Sequence, residues 1–265
     1  MFGNLFKRLG KGDSGAKREL LPIDRPTVGL CFDYERGIAY DSQYLSDIGL
    51  DLILKALKQH SLRATFNCPA KLCETSPDQL SMIADAGHEI AVLGYADETP
   101  ADLTPDAIKQ LVYTCRNAYA RRGLNPTGFR VAKSKWDDRL TGEMAAQGFL
   151  YNAEHDHSRH LYVLSPGSPP LVRIPIYTDD RGLRRGEDTY DTTVSKHLRL
   201  IRKAIQHTCF VSICFHPWIM AEDMERFEHW QIWLTHALKG GAKVCAMEDA
   251  LPAEYRTRET PGQDQ

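Results

Sequence analysis

Several features that would point to common classes of protein are missing from this chain of 265 residues. No apolar run approaches the roughly 20 residues that a membrane-spanning helix needs, so we expect no transmembrane segment. No C-x-x-C pair occurs among the seven cysteines, which argues against a cysteine zinc site. The net charge of −2 provides no strongly basic surface, and we therefore expect no nucleic-acid partner.

The cysteines also indicate a cellular compartment. Their number is odd, and Cys31, Cys209, Cys214 and Cys245 lie inside apolar stretches. This placement is typical of small core residues in a reducing environment rather than of a disulfide framework. We therefore expect a cytoplasmic protein.

The first twenty residues form a separate stretch, in which Phe2, Leu5, Phe6 and Leu9 recur at helical spacing. The stretch lacks the apolar core and the cleavage site that are typical of a secretory signal. Two interpretations stay open, a weak membrane-surface helix and a simple N-terminal tail. The tail is favoured, because an isolated helix of about two turns is marginal in water.

Short β-rich stretches alternate with longer helical patterns along the rest of the chain. Residues 27–32 (TVGLCF) form an unbroken apolar run typical of a buried strand, and residues 44–60 carry apolar side chains on one helical face. The further predicted strands are 63–67, 88–93, 127–132, 149–153, 169–177, 209–215 and 242–247. The further predicted helices are 76–87, 104–123, 137–148, 189–207 and 221–241.

About seven βα units of this kind require a parallel sheet covered by helices, either open or closed into a barrel. In both forms the chemistry lies at the carboxyl ends of the strands. The candidate functional positions are therefore Asp33 to Glu35, Asn67 and Cys68, Leu93 to Asp97, Arg130, Asn152 to His160, and His216.

Six ordered motifs carry a resemblance to a known family. They are LCFDYE, RATFNCPAKL, ADAGHEIAVLGY, GFRVAKS, QGFLYNAE and ICFHPW. In this order they resemble the polysaccharide deacetylase family, also called carbohydrate esterase family 4. The resemblance implies a deformed (β/α)7 barrel over residues 27–251, with an N-terminal tail and linker at 1–26 and a C-terminal tail at 252–265.

The resemblance also implies roles for individual residues. In this family a divalent metal such as Zn²⁺, Co²⁺ or Mn²⁺ polarises an amide carbonyl and activates a water molecule. Asp33 matches the base that takes the proton from this water, and His216 matches the acid that protonates the leaving amine. Arg130 matches the arginine that orients a carboxylate.

The metal-binding motif of the family is incomplete in this sequence. The positions of its His-x-x-x-His pair hold Leu93 and Asp97. The family's metal carboxylate follows the base, and Glu35 is the only candidate for it, because Tyr34 has no carboxylate. The proline of the Arg-x-Pro motif is replaced by Ala132.

Three interpretations of this motif stay open. Glu35 and Asp97 can hold Mg²⁺, Mn²⁺ or Ca²⁺ through waters, as carboxylate sites do. Alternatively the stretch EHDHSRH (154–160) lends His155, His157 or His160, although a solvated loop is the favoured interpretation of this histidine-rich tract. In the third interpretation no metal binds.

Other polar and aromatic groups have simpler interpretations. The basic loop 179–188 can meet a phosphate or a carboxylate, but its interspersed acidic residues favour a solvated loop. Trp218, Trp230 and Trp233 can form a sugar-stacking surface, although the spacing of the last two favours packing into the barrel. Cys68 has no base beside it in sequence and is predicted to be a core residue.

We therefore expect a hydrolase acting on a carbon–nitrogen (amide, N-acyl) bond of a sugar or glycan. The alternative is a catalytically silent homologue that binds a carbohydrate or a partner protein in polysaccharide synthesis, since a fold does not guarantee its chemistry. A third interpretation is the hydrolysis of amides that are not sugars.

Overall fold

The computed structural model describes residues 18–38, 42–167, 169–185 and 189–256. The Phe-rich start of the chain and the last nine residues lie outside these ranges, so the interpretation of the first stretch stays a prediction. None of the described helices has the length and apolarity that crossing a membrane requires.

The described ranges contain ten strands and nine α-helices. The strands are β1 Thr27–Asp33, β2 Thr65–Cys68, β3 Glu89–Leu93, β4 Gly128–Arg130, β5 Tyr151–His155, β6 Tyr162–Ser165, β7 Leu171–Ile176, β8 Thr178–Asp179, β9 Phe210–Phe215 and β10 Lys243–Cys245. The helices are α1 Gln43–Gln59, α2 Leu72–Thr75, α3 Pro77–Asp85, α4 Pro105–Ala120, α5 Leu140–Ala146, α6 Arg181–Arg185, α7 Tyr190–His207, α8 Pro217–Glu222 and α9 Met224–Lys239. The predicted elements are all present, whereas β6, β8, α2, α6 and α8 are too short to show a periodic pattern.

The sheet closes on itself. Parallel pairing runs through β7, β5, β4, β3, β2, β1 and β9, and β9 also pairs with β8. Only Tyr177 separates β8 from β7, and its N–H donates to the carbonyl oxygen of Ser212 in β9 at 3.1 Å. Because β7 and β8 occupy one position in succession, seven parallel strand positions surround the core, and the predicted (β/α)7 barrel is confirmed.

The barrel is deformed at two places. The antiparallel strand β6 pairs with the first part of β7, so that only the following residues reach β9. The strand β10 pairs with the first half of β1, where β2 pairs with the second half. Before the first strand, Leu20 pairs with Tyr162 and Leu21 is buried, so contact with the barrel begins ahead of Thr27.

Large aromatic side chains fill the space between the sheet and α9. Trp230 packs 5.7 Å from the ring of Phe32, and Trp233 packs 5.4 Å from the ring of Phe215. Both tryptophans are fully buried, as their helical spacing predicts, and Trp218 is buried as well. These three side chains therefore form no sugar-stacking surface. The seven cysteines are buried and unpaired, which agrees with the prediction of core residues.

A close helix contact positions the chain that follows β9. Helix α1 packs against α8, and a Cβ atom added to Gly49 would lie 2.0 Å from the carbonyl oxygen of Pro217. Only a glycine permits this approach. Since Pro217 begins α8 directly after β9, the contact fixes the position of His216, the last residue before the helix.

A buried carboxyl group ties strands together at the amino end of the barrel. Glu89 begins β3 and accepts hydrogen bonds from Tyr151 at 2.7 Å, from the N–H of Glu248 at 3.1 Å and from the hydroxyl of Thr65. Burial and the charge of Glu248 raise the pKa of Glu89 to about 7. Its proton is therefore part of the folded structure at mildly acidic pH.

This raised pKa predicts a pH-dependent stability. Because the folded pKa of Glu89 exceeds its unfolded value of about 4.3, its contribution to stability is fully present below pH 4 and is lost as the pH rises through 7. We expect Glu89→Gln to remove this loss, so that the variant gains on the order of 2 kcal/mol over the wild type between pH 5 and 8. Urea unfolding across this pH range measures the difference in the free energy of unfolding. Glu228→Gln, on the exposed face of α9, is the matched control, and identical pH profiles for wild type and Glu89→Gln would contradict the account.

Candidate active site

A buried ion pair lies at the carboxyl ends of β1 and β4. The Nε atom of Arg130 donates to both carboxylate oxygens of Asp33 at 3.1 Å, and the amide of Asn67 donates to the same carboxylate at 2.9 Å. Burial raises the pKa of Asp33, but the charges of Arg130, His216 and Arg181 outweigh it and hold this pKa well below its usual range. Asp33 is therefore a carboxylate at neutral pH.

Arg130 also binds the neighbouring strand β5. Its Nη1 donates to the carbonyl oxygen of Ala153 at 3.2 Å and lies 3.6 Å from the carboxylate of Glu154. Glu154 in turn accepts from the N–H of Val131 at 2.6 Å. Burial raises the pKa of Glu154, and the charge of Arg130 acts in the opposite direction. One guanidinium thus joins carboxylates from two strands.

A second pair of side chains, which follow β8 and β9, faces Asp33. Nδ1 of His216 lies 2.5 Å from Oδ1 of Asp180, and the other oxygen of Asp180 accepts from the backbone N–H of His216. Nε2 of His216 lies 3.6 Å from Oδ2 of Asp33. Burial lowers the pKa of His216, but Asp180 more than offsets this and the pKa is raised. An acid and a base are therefore adjacent, each held by a partner of opposite charge.

Arg181 completes the cluster. Its Nη2 donates to the carboxylate of Glu35 at 2.6 Å, and its Nε donates to Nε2 of His216 at 2.8 Å. Glu35 lies in the loop after β1, which Tyr34 fixes through a hydrogen bond of 2.7 Å to Asp47. Burial raises the pKa of Glu35, and the charges of His216 and Arg181 partly offset this.

The other predicted metal ligands lie apart from this cluster. Leu93 is buried and has no donor atom. Asp97 binds Lys133 at 2.5 Å in a partly exposed ion pair. Nε2 of His155 lies 3.4 Å from Asp179, the exposed ring of His157 packs against Tyr177, and His160 is exposed.

The residues present therefore do not fit a divalent metal site of the family's kind. Among the described residues, no three His, Cys, Asp or Glu side chains are grouped so that they could hold a metal ion. Glu35, the predicted carboxylate ligand, is bound to a guanidinium instead. Asp97 is paired with Lys133 and does not join Glu35 in one site.

One prediction about a polar segment is wrong. The loop 179–188 was expected to be solvated, but Asp180 is buried and Arg181 is mostly buried in the cluster. Glu35, the predicted metal carboxylate, has a side chain that is only 5% exposed. Desolvated charges of this kind need partners, and here the partners come from other elements of the barrel.

Asp180 and Arg181 were missed as members of the site, and Glu154, which lies in the candidate stretch 152–160, was given no role. Position 152, where the family often has an aspartate, holds an asparagine that donates to the carbonyl oxygen of Phe129. The acidic group beside Arg130 comes instead from Glu154, two residues later and so on the same face of β5. The alternation of side chains along β5 was a usable signal for Glu154, whereas the two-residue strand β8 provides none for Asp180 and Arg181.

Comparison with known proteins identifies the family of this chain. The family model of polysaccharide deacetylases matches residues 22–151. The chain belongs to the polysaccharide deacetylase family. A peptidoglycan deacetylase of Helicobacter pylori is 32% identical over 131 residues, which are 48% of this chain and 40% of that protein.

Two solved structures show the same fold over almost the whole chain. A protein of Mycobacterium smegmatis assigned to the polysaccharide deacetylases superposes with a TM-score of 0.76 at 19% identity, covering 95% of this chain and 99% of that one. A pseudoenzyme of carbohydrate esterase family 4 from Bacillus anthracis superposes with a TM-score of 0.63 at 17% identity, covering 91% and 69%. The chain spans about two fifths of the length of the curated relatives that it matches.

Deacetylases of this family are generally metal-dependent, and this chain departs from them at the predicted ligand positions. The predicted base and acid, Asp33 and His216, face each other, whereas a leucine and two ion pairs occupy the positions predicted for metal ligands. Instead of a metal ion, the arginine side chains Arg130 and Arg181 bring positive charge to the site.

Removing the first of these arginines tests the buried pair. Arg130→Met leaves Asp33 and Glu154 buried without their cation, and we expect a loss of about 3–5 kcal/mol at pH 7. The folded pKa of Asp33 is lowered, so the pair stabilises the fold above the unfolded pKa of about 3.9 and less as the pH falls. In urea unfolding the difference between variant and wild type should therefore be largest near pH 7 and should shrink as the pH falls below about 4. In the double variant Arg130→Met/Asp33→Asn part of the loss should be recovered, and strictly additive losses would contradict the account.

Proposed function

We propose that this protein hydrolyses the N-acyl (amide) bond of an amino sugar within a glycan. The observation that carries the proposal is the facing pair Asp33 and His216, each oriented by a buried partner, at the carboxyl ends of the barrel strands. The family membership and the peptidoglycan deacetylase relative support a glycan as the substrate. The buried, unpaired cysteines support a cytoplasmic location.

The two side chains supply a balanced reaction. Asp33 accepts a proton from water while the water oxygen bonds to the carbonyl carbon. This proton then passes from Asp33 to Nε2 of His216 across the gap of 3.6 Å between them. His216 donates it to the nitrogen as the carbon–nitrogen bond breaks. The products are a carboxylic acid and a free amine, and general acid–base catalysis of this kind contributes about 10²–10⁴-fold.

The developing negative charge on the carbonyl oxygen also needs stabilisation. The family supplies it through a metal, but the residues here do not fit one, so no step is assigned to Zn²⁺, Co²⁺ or Mn²⁺. The positive groups next to Asp33 are Arg130 and Arg181. Arg130 is held by Asp33, Ala153 and Glu154, which leaves Arg181 as the proposed donor to the oxyanion once its Nε has left Nε2 of His216. Such a donor is worth about 10²–10³-fold.

Partly exposed aromatic rings lie at the same end of the barrel. Trp136 follows β4 and stacks under the guanidinium of Arg173 at 4.7 Å, while Tyr177 follows β7. Rings of this type present an apolar face together with a polar edge. They are the proposed contacts for the sugar, in the place of Trp218, Trp230 and Trp233.

A second candidate is the catalytically silent homologue that binds a carbohydrate or a partner in polysaccharide synthesis. It is favoured by the closure of the site, because the side chains of Asp33 and His216 are at most 1% exposed. Under this candidate Asp33 and His216 stabilise the barrel and do not turn over a substrate. The third interpretation, hydrolysis of an amide that is not a sugar, differs only in the substrate.

Turnover separates these candidates. With oligomers of N-acetylglucosamine as probes, we expect acetate and free amine in equal amounts, and a loss of at least about 10²-fold for Asp33→Asn or His216→Ala. Glu228→Gln is the control on the exposed face of α9. Unchanged turnover in Asp33→Asn would refute the acid–base assignment.

The silent candidate predicts a different pattern. The wild type would release no acetate, while oligosaccharide binding, measured by calorimetry, would be the same in wild type and Asp33→Asn. Release of amine from non-sugar amides alone would support the third interpretation and contradict the sugar substrate.

A further inference from the structure

Arg181 reaches the site from the start of α6, directly after the strand β8. It follows Asp180, and β8 is the short strand that closes the barrel against β9. Its backbone N–H donates to the carboxylate of Asp179 at 3.1 Å, which fixes the first turn. The side chain therefore enters the site from the barrel position that β7 and β8 share, between β9 and β5.

The guanidinium binds two side chains with metal-ligand chemistry at this end of the barrel. It contacts Glu35 at 2.6 Å and Nε2 of His216 at 2.8 Å, and a further such side chain, Asp33, lies 3.6 Å from Nε2 of His216. A carboxylate, an imidazole nitrogen and a second carboxylate are ordinary ligands of divalent metals. Here the guanidinium of Arg181, a cation that belongs to the chain, already binds Glu35 and His216.

The same contacts determine which nitrogen of His216 carries the proton. Nε of Arg181 is always a donor, so Nε2 of His216 must accept and the proton must lie on Nδ1, facing Asp180. A proton on Nε2 would place two donors against each other. Arg181 must therefore withdraw before His216 can donate from Nε2.

Exposure places Arg181 at the outer side of the cluster. Its side chain is 15% exposed, whereas those of Asp33, Glu35, Asp180 and His216 are between 0 and 5% exposed. An outward shift of this side chain, away from Nε2, would thus free His216 to donate.

We propose that Arg181 is the built-in cation of this site, which excludes a divalent metal from the pocket of Asp33, Glu35 and His216 and keeps Nε2 of His216 as a proton acceptor. Glu35 is buried beside this guanidinium and needs a cationic partner, whether that partner is Arg181 or a metal ion. The inference rests on the proposed function only for the step in which Arg181 withdraws.

Metal uptake tests the exclusion. Wild type, Arg181→Lys, Arg181→Met and the surface control Arg202→Met are dialysed against Zn²⁺, Co²⁺ or Mn²⁺, and bound metal per chain is measured. We expect wild type, Arg181→Lys and Arg202→Met to retain no stoichiometric metal, and Arg181→Met to bind at least one of these metals with a Kd lower by at least about tenfold. That uptake should be lost when Glu35→Gln is added. Equal uptake by wild type and Arg181→Met, whether both bind or neither does, would overturn the proposal.

The proton position is measured on the wild type, so the test does not depend on the folding of a variant. Nitrogen-15 NMR of labelled histidines, recorded across a pH series with His216→Ala for assignment, should show that the neutral form of His216 carries its proton on Nδ1 and none on Nε2. A proton on Nε2 in the neutral form of the wild type would overturn the proposal. Both readouts are independent of turnover, so an inactive wild type would contradict the proposed function and leave this inference standing.

Discussion

The ion pair between Arg130 and Asp33 is the contact on which the rest of the site depends. It is almost completely buried and joins β1 to β4, and through Ala153 and Glu154 it also joins β5. Buried charges cost free energy unless they are paired and hydrogen-bonded, so the pair constrains the strand ends to one arrangement. It also keeps Asp33 ionised, which a general base requires.

The other half of the site is also held together by buried pairs of opposite charge. Asp180 orients His216, and Arg181 compensates Glu35, so that each buried charge has a partner from another element. The contact between Gly49 and Pro217 holds His216 in register with Asp33. Where relatives of this family use a metal, this chain has assembled a network of arginines and carboxylates, and the loss of ligands at Leu93 and Asp97 is consistent with that replacement.

Much of the fold could be predicted from the sequence, because strands and long helices carry clear periodic patterns. The same patterns placed Asp33, Arg130 and His216 at strand ends, where parallel strands bring their side chains together. The partners Asp180 and Arg181 could not be predicted, since β8 has two residues and its neighbours look like a solvated loop. Glu35 was assigned to a metal because only tertiary contacts show that Arg181 binds it.

We infer that this site works with its own cation, Arg181, in place of a metal. The most direct measurement is the rate of acetate release from N-acetylglucosamine oligomers before and after exhaustive chelation, with metal content measured in parallel. The account predicts the same rate in both samples. A rate that disappears on chelation and returns with one equivalent of Zn²⁺, Co²⁺ or Mn²⁺ would contradict it.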